Sequence, residues 1–195
     1  LAKRMVRDLI NDDVTKISID QPDLYRSVQS FIADFAAEWS GQLQHHNSSR
    51  PLFDLFHIDD EIDRSVNRTV PLKSGGNLVF DSSEAMTTID VNTGQYVGHK
   101  SLEDTAFKTN LESAQMIARQ LRLRNIGGIV IIDFIDMFDE SHRQQVLQTL
   151  TDGLDKDRAK THVLGFTQLG LVELTRKRTT ESLLDILCEP CDKCH

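Results

Sequence analysis

The spacing of hydrophobic positions changes several times along the chain, and each change marks an element. Residues 1–11 read as the end of a helix, and residues 16–19, Lys-Ile-Ser-Ile, as a short strand. Leu24, Val28, Phe31, Ile32 and Phe35 recur at helical spacing and predict an amphipathic helix over residues 23–39. Gly41, His45, His46, Asn47, Ser48 and Ser49 then break the pattern and predict a mobile polar loop. A helix over 58–68 leads into extended runs at 69–73, 77–81 and 85–92. With Ser74-Gly75-Gly76 between the first two runs, these predict an antiparallel meander. Phe107, Leu111, Ala114, Ile117, Ala118 and Leu121 share one face of a long helix over 105–124, which Gly127-Gly128 stops. The continuous apolar run at 128–134 has strand length and the composition of a strand covered on both faces. A helix at 140–156, strands at 161–166 and 170–175, and a short helix at 181–187 complete an α/β pattern of the α+β kind.

No run approaches the roughly 18 apolar residues of a membrane span, and the N-terminus lacks a signal-peptide pattern, so a cytoplasmic location is expected. The chain starts at Leu1 and stops at Cys194-His195 inside a metal-like motif, so it is expected to be a fragment of a longer protein. A net charge of -8 weighs against a polyanionic partner. The acids, however, are dense in the first half (Asp12, Asp13, Asp54, Asp59, Asp60, Glu61, Asp63), and bases gather later as Arg119, Arg122, Arg124 and as Arg176, Lys177, Arg178. Local field governs binding in a cleft, so both clusters are candidate phosphate contacts. Each also reads as a solvated face, and the first sits favourably near a helix C-terminus. Arg122 and Arg124, two apart on a helix, cannot face the same way.

Asp90 and Asn92 alternate in an extended run and project from one strand face. Asp133 ends the apolar run, where α/β sheets commonly present functional groups. Carboxylate oxygens suit Mg²⁺, which is usually held by one or two carboxylates plus a substrate phosphate. Spacing alone does not bring Asp90 and Asp133 together. Asp136 and Asp139 compete for the role, Asp139 also reading as a helix cap. Cys188, Cys191 and Cys194, with His195, have the spacing of a zinc site. The Cys191-to-His195 run also matches a haem-attachment signal, and the whole cluster reads equally well as an unmetallated tail. No chemistry is assigned to His45, His46 or His142.

The segments Glu84-Ala-Met-Thr-Thr-Ile-Asp90-Val-Asn92, Ile117-Ala-Arg-Gln-Leu-Arg-Leu-Arg124, Gly127-Gly-Ile-Val-Ile-Ile-Asp133-Phe-Ile-Asp136-Met137 and Gly170-Leu-Val-Glu-Leu-Thr-Arg-Lys-Arg178 resemble, in order, the catalytic region of the ribonuclease E/G family. Thr175-Arg-Lys-Arg178 and Cys188-Glu-Pro-Cys191 look nearer to the G branch. The resemblance implies that Asp90 and Asp133 are catalytic Mg²⁺ ligands supported by Asn92. It implies cleavage of single-stranded RNA to 5′-phosphate and 3′-hydroxyl ends. It also implies that residues 1–68 are part of a ribonuclease H-like subdomain and that 69–187 are a deoxyribonuclease I-like subdomain. Residues 188–195 would begin a zinc link, in which Cys191 and Cys194 share Zn²⁺ with a second subunit and tie a homodimer; Cys188 has no assigned duty. The family's S1 domain and 5′-monophosphate sensor would precede this region. Without them weak cleavage is expected, and a non-catalytic RNA-binding and dimerisation piece is the alternative.

Overall fold

In a computed structural model of the chain, residues 1–10, 14–94 and 102–189 are described. The chain divides into two compact units, Leu1–Glu61 and Ile62–His195. The first holds α1 (Ala2–Leu9), β1 (Lys16–Ile19), α2 (Pro22–Phe35), β2 (Gln42–His45) and α3 (Leu52–Leu55). The side chain of Gln21 accepts the Leu24 N–H, and Pro22 opens α2 with its φ already helical. The helix stops short of the predicted residue 39. There the Trp39 indole N–H donates instead to the Val14 carbonyl at 2.8 Å. The expected polar loop contains β2, which pairs in parallel with β1, Lys16 opposite Gln42. Leu43 is the sole apolar residue of Gln42–His45, so there was no alternation to read; β1 supplies the order.

The helix α4 (Ile58–Val66) carries the chain from the first unit to the second. There follow β3 (Thr69–Pro71), β4 (Asn77–Ser82), β5 (Met86–Asn92), α5 (Leu102–Leu123), β6 (Gly128–Asp133), α6 (Glu140–Leu154), β7 (Thr161–Phe166), β8 (Leu171–Arg176) and α7 (Leu183–Leu187). The six-stranded sheet has the order β3-β4-β5-β6-β8-β7. The meander β3-β4-β5 is antiparallel, as the pattern predicted; β5 and β6 run parallel, joined by α5, and β8 returns antiparallel to β6. The result is a mixed sheet in an α+β setting.

Burial alternates along the strands. Leu78 and Phe80 of β4, Ile89 and Val91 of β5, Val130 and Ile132 of β6, and Val172 and Leu174 of β8 join one core with Ala114, Ile117, Ala118 and Leu121 of α5 and Val146, Leu150 and Leu154 of α6. Both long helices therefore cover one face. On the other face Thr88, Asp90, Asn92, Ile129, Asp133 and Thr175 are exposed. This corrects the expectation that the 128–134 run is covered on both faces, since Ile129 is 46% exposed. At the turn before β4, a Cβ on Gly76 would overlap the Asn92 carbonyl oxygen, so glycine lets the turn close against the end of β5. Among the described residues, no helix is long and apolar enough to cross a membrane.

A buried ion pair fastens the far end of the sheet. Arg176 Nε donates to Asp157 Oδ2 at 2.8 Å, with the two side chains 3% and 6% exposed. Arg176 Nη1 reaches the Ile126 carbonyl as well. Burial pushes the Asp157 pKa up, but the Arg176 hydrogen bond, the Ala159 N–H and the charges of Arg176 and Arg122 outweigh it and hold the carboxyl below its ordinary value. A depressed folded pKa contributes stability that is present above the unfolded value of about 3.9 and is lost as pH falls through the folded value. Asp157→Asn is therefore expected to cost about 3–5 kcal/mol at pH 7 by urea unfolding, with the deficit narrowing below about pH 4. A deficit that is constant with pH would remove the ion pair from this account.

Candidate active site

Asp90 and Asp133 are register partners on the parallel strands β5 and β6. Neighbouring strands lie about 4.8 Å apart, and partners in register point to the same face, so two carboxylates stand side by side on the open face of the sheet. Both occupy the C-terminal halves of their strands. Asn92, two residues beyond Asp90, donates its Nδ2–H to Asp90 Oδ2 at 2.8 Å and fixes that carboxylate's orientation. Lost hydration pushes the Asp133 pKa up, and the negative charges of Asp90 and Asp136 push it further. Among the described residues, no group of three or more His, Cys, Asp or Glu side chains could close round a metal ion. The site is thus a carboxylate pair with a third acid, Asp136, acting through its charge.

The long helix α5 anchors the loops around this pair. Asn110 is fully buried, and its side chain donates to the Ile135 carbonyl at 2.8 Å while accepting the Ile135 N–H at 3.1 Å. It grips the backbone between Asp133 and Asp136. Glu103 accepts the N–H groups of Phe138 and Asp139, and its Oε1 lies 3.0 Å from His142 Nδ1. The Phe138 N–H, the His142 contact and the Asp139 N–H, outweighing burial, hold Glu103 below the ordinary carboxylate range. Glu112 accepts the N–H groups of Lys73 and Ser74 and so holds the turn before β4. Asp139 accepts from the Ser141 N–H as the cap of α6, the reading that competed with a metal role.

The basic residues are placed apart from the carboxylates. Arg119 and Arg122 are exposed on α5 and line a groove of about 490 Å³ toward α6 that also includes Lys156. That groove lies on the helical layer, away from the open sheet face. Arg124 points the other way from Arg122 and is 1% exposed. Arg176 is buried and paired with Asp157, so its guanidinium is spent within the fold and is not a surface contact. Lys177 and Arg178 are exposed just past β8. Because Arg176 is opposite Gly128 and Leu171 opposite Asp133, they sit at the other end of the sheet from the carboxylates, roughly 16 Å along β6. Cys188 is exposed with a free thiol, and Cys191 and Cys194 lie outside the described residues.

Residues 1–179 match the sequence profile of the ribonuclease E/G family. The chain belongs to that family. It is 51% identical over all 195 residues to the ribonuclease G of Escherichia coli (strain K12) and 50% identical to that of Haemophilus influenzae, in each case 40% of the relative's length. It is 37% identical over 192 residues to the ribonuclease E of Escherichia coli (strain K12), 98% of this chain and 18% of that protein. The identity is thus greater toward the G relatives, in the direction that the Thr175–Arg178 segment implied. The chain spans 40% of the length of the ribonuclease G relatives it matches.

Asn110, Glu103 and Glu112 escaped the sequence reading of this family member. Asn110 carried a signal, since it falls inside the apolar stripe of Phe107, Leu111 and Ala114, where a polar side chain needs a buried partner. Asn110→Ala is expected to cost about 1–3 kcal/mol and to speed hydrogen exchange at the Ile135 amide more than at core amides of β6. Uniform acceleration would mean that the clamp is not local. A second expectation follows from Asp133. Its raised folded pKa means that stability is largest with the group protonated and declines as pH rises through the folded value. Asp133→Asn should therefore raise the melting temperature at pH 7 in metal-free buffer, with the gain vanishing toward pH 3.

Proposed function

We propose that the chain is the catalytic part of a Mg²⁺-dependent endoribonuclease that hydrolyses single-stranded RNA to 5′-phosphate and 3′-hydroxyl ends in RNA processing and decay. The observation that carries the reading is the in-register pairing of Asp90 with Asp133, two hard oxygen ligands side by side on an open face. The donor set fits a divalent cation. Lost hydration and, after it, the charges of Asp90 and Asp136 raise the Asp133 pKa, and a bound dication would offset the repulsive part. When bound, Mg²⁺ supplies Lewis acidity at the scissile phosphate and acidifies a coordinated water. Asp90 and Asp133 would hold it, and Asn92 would keep Asp90 aimed. Asn110 and Glu103 would keep the 134–139 loop from collapsing onto the pair. The exposed bases Arg119, Arg122, Lys177 and Arg178 would supply phosphate contacts. Names of relatives support the activity class, since ribonuclease G and ribonuclease E match nearly the whole chain.

Under the same reading, residues 1–68 form part of a ribonuclease H-like subdomain and 69–187 a deoxyribonuclease I-like subdomain. Cys191 and Cys194 would hold Zn²⁺ with the same pair from a second copy, a soft-ligand set suited to that ion, and so tie a homodimer. The S1 and 5′-sensor regions of the family lie outside this stretch, so the chain alone is expected to bind Mg²⁺ and cleave slowly.

The deciding assay is cleavage of a 5′-monophosphorylated, A/U-rich single-stranded RNA by the full-length ribonuclease across a Mg²⁺ titration. Asp90→Asn and Asp133→Asn should each lose at least about a hundredfold in rate, a barrier increase of about 2.7 kcal/mol, with RNA affinity retained. Variants that cut at the wild-type rate would place the chemistry elsewhere. A wild type that binds RNA and never cuts it would transfer the chain to the RNA-binding and dimerisation class.

A further inference from the structure

A second polar pocket, of about 440 Å³, opens at the end of the sheet remote from the carboxylates. Its walls come from the β4–β5 turn, the α5–β6 corner and the strap of residues 178–185 that precedes and enters α7. The strap is held in place by Asn125, whose Nδ2 donates to the Thr180 hydroxyl at 2.7 Å and to the Glu181 carbonyl at 3.0 Å, and by the Leu183 N–H on the Arg124 carbonyl. Gly127 lets the strap come this close, since a Cβ there would stand 2.6 Å from Arg178 Cγ.

The pocket contains a charge that the fold leaves unanswered. Arg124 lines it and is 1% exposed. Its Nε donates to Gln120 Oε1 at 2.8 Å and its guanidinium lies 4.3 Å from the centre of the Phe80 ring, but Nη2 has no hydrogen-bond partner. Burial alone moves its pKa, downward, and no carboxylate counters the shift. A buried cation without an anion carries a large desolvation cost, and a guanidinium edge is shaped for an oxyanion. Around it stand the hydroxyls of Ser82, Ser83 and Thr180 and a second guanidinium, Arg178. The lining also includes Glu84, Glu181 and Asp185. Asp185 is engaged by Ser182 and lies in the field of Arg178, while Glu84 and Glu181 are exposed. Such acids repel a dianion more strongly than a monoanion, which favours a phosphodiester over a terminal phosphate.

We propose that this pocket seats a phosphodiester group of the bound RNA strand, with Arg124 and Arg178 as its donors, at a point remote from the cleavage site. The inference rests on RNA being the ligand of this chain. It assigns Arg124 a role that burial would otherwise reduce to packing against Phe80.

The test uses the chain in Mg²⁺-free buffer, titrated with a short A/U-rich single-stranded RNA and, separately, with inorganic phosphate. Expected are saturable NMR shifts of the Arg124 Nε–H and of the Asn125 and Ser182 amides with RNA, and none with phosphate at equal phosphorus concentration. Arg124→Met, close in volume and uncharged, should melt higher than wild type, bind RNA about tenfold more weakly and lower the salt slope of binding by about one. If that variant does not fold, Arg178→Ala, altered at an exposed side chain, should show the same loss of affinity and salt slope. RNA binding that leaves these resonances and both variants' affinities unchanged would overturn the pocket while leaving RNA recognition standing. Equal shifts with inorganic phosphate would make the ligand free phosphate and overturn the strand assignment. Absence of RNA binding to wild type, including at amides flanking Asp90 and Asp133, would overturn this inference together with the RNA reading.

Discussion

Parallel pairing of β5 with β6 in one particular register is the constraint on which the rest depends. Shifting that register by one residue would turn one carboxylate into the core and leave the other alone on the surface. Parallel neighbours also require a crossover connection, and here α5 is that connection. The helix therefore belongs to the site as much as the strands do. It closes the unit that aligns Asp90 with Asp133, covers the buried face of the same strands, and supplies the side chains that tether the surrounding loops.

Much of this was legible beforehand. The stripe on α5 and the apolar run of β6 are strong local patterns, and alternation put Asp90 and Asn92 on one face. The pairing of Asp90 with Asp133 was not legible from spacing, because register between strands whose partners are 43 residues apart depends on how the crossover closes; the family resemblance supplied that expectation. The one-sided burial of β6 was missed because its apolar composition masks the exposure of Ile129. The strand β2 was missed for the opposite reason, as it is nearly all polar and depends on β1 for its hydrogen bonds. Among the basic residues, helical spacing already set Arg122 and Arg124 on different faces, but charge and clustering gave no sign of which one turns inward, nor that Arg176 does so while Arg119, Lys177 and Arg178 stay out. Inward orientation is decided by the tertiary partners Gln120, Phe80 and Asp157.

Charge is sorted along the sheet. Asp90, Asp133 and Asp136 gather at one end, and Arg124, Arg176 and Arg178 at the other. A net charge of -8 thus conceals an acidic cluster suited to cations at one end and, at the other, the guanidinium groups of Arg124 and Arg178 set among Glu84, Glu181 and Asp185. This is why the formal total argued weakly about partners.

The three tethers on α5 have a mechanical consequence. Glu103, Asn110 and Glu112 sit on one stiff rod, and each grips backbone, Glu103 holding the His142 side chain as well. Sliding that rod along its axis would drag the turn before β4 and the loop after β6 in the same direction at once. The turn on one side of the carboxylates and the loop on the other are therefore fastened to the same element, so neither is positioned independently of the other, much as linked runners keep a drawer square.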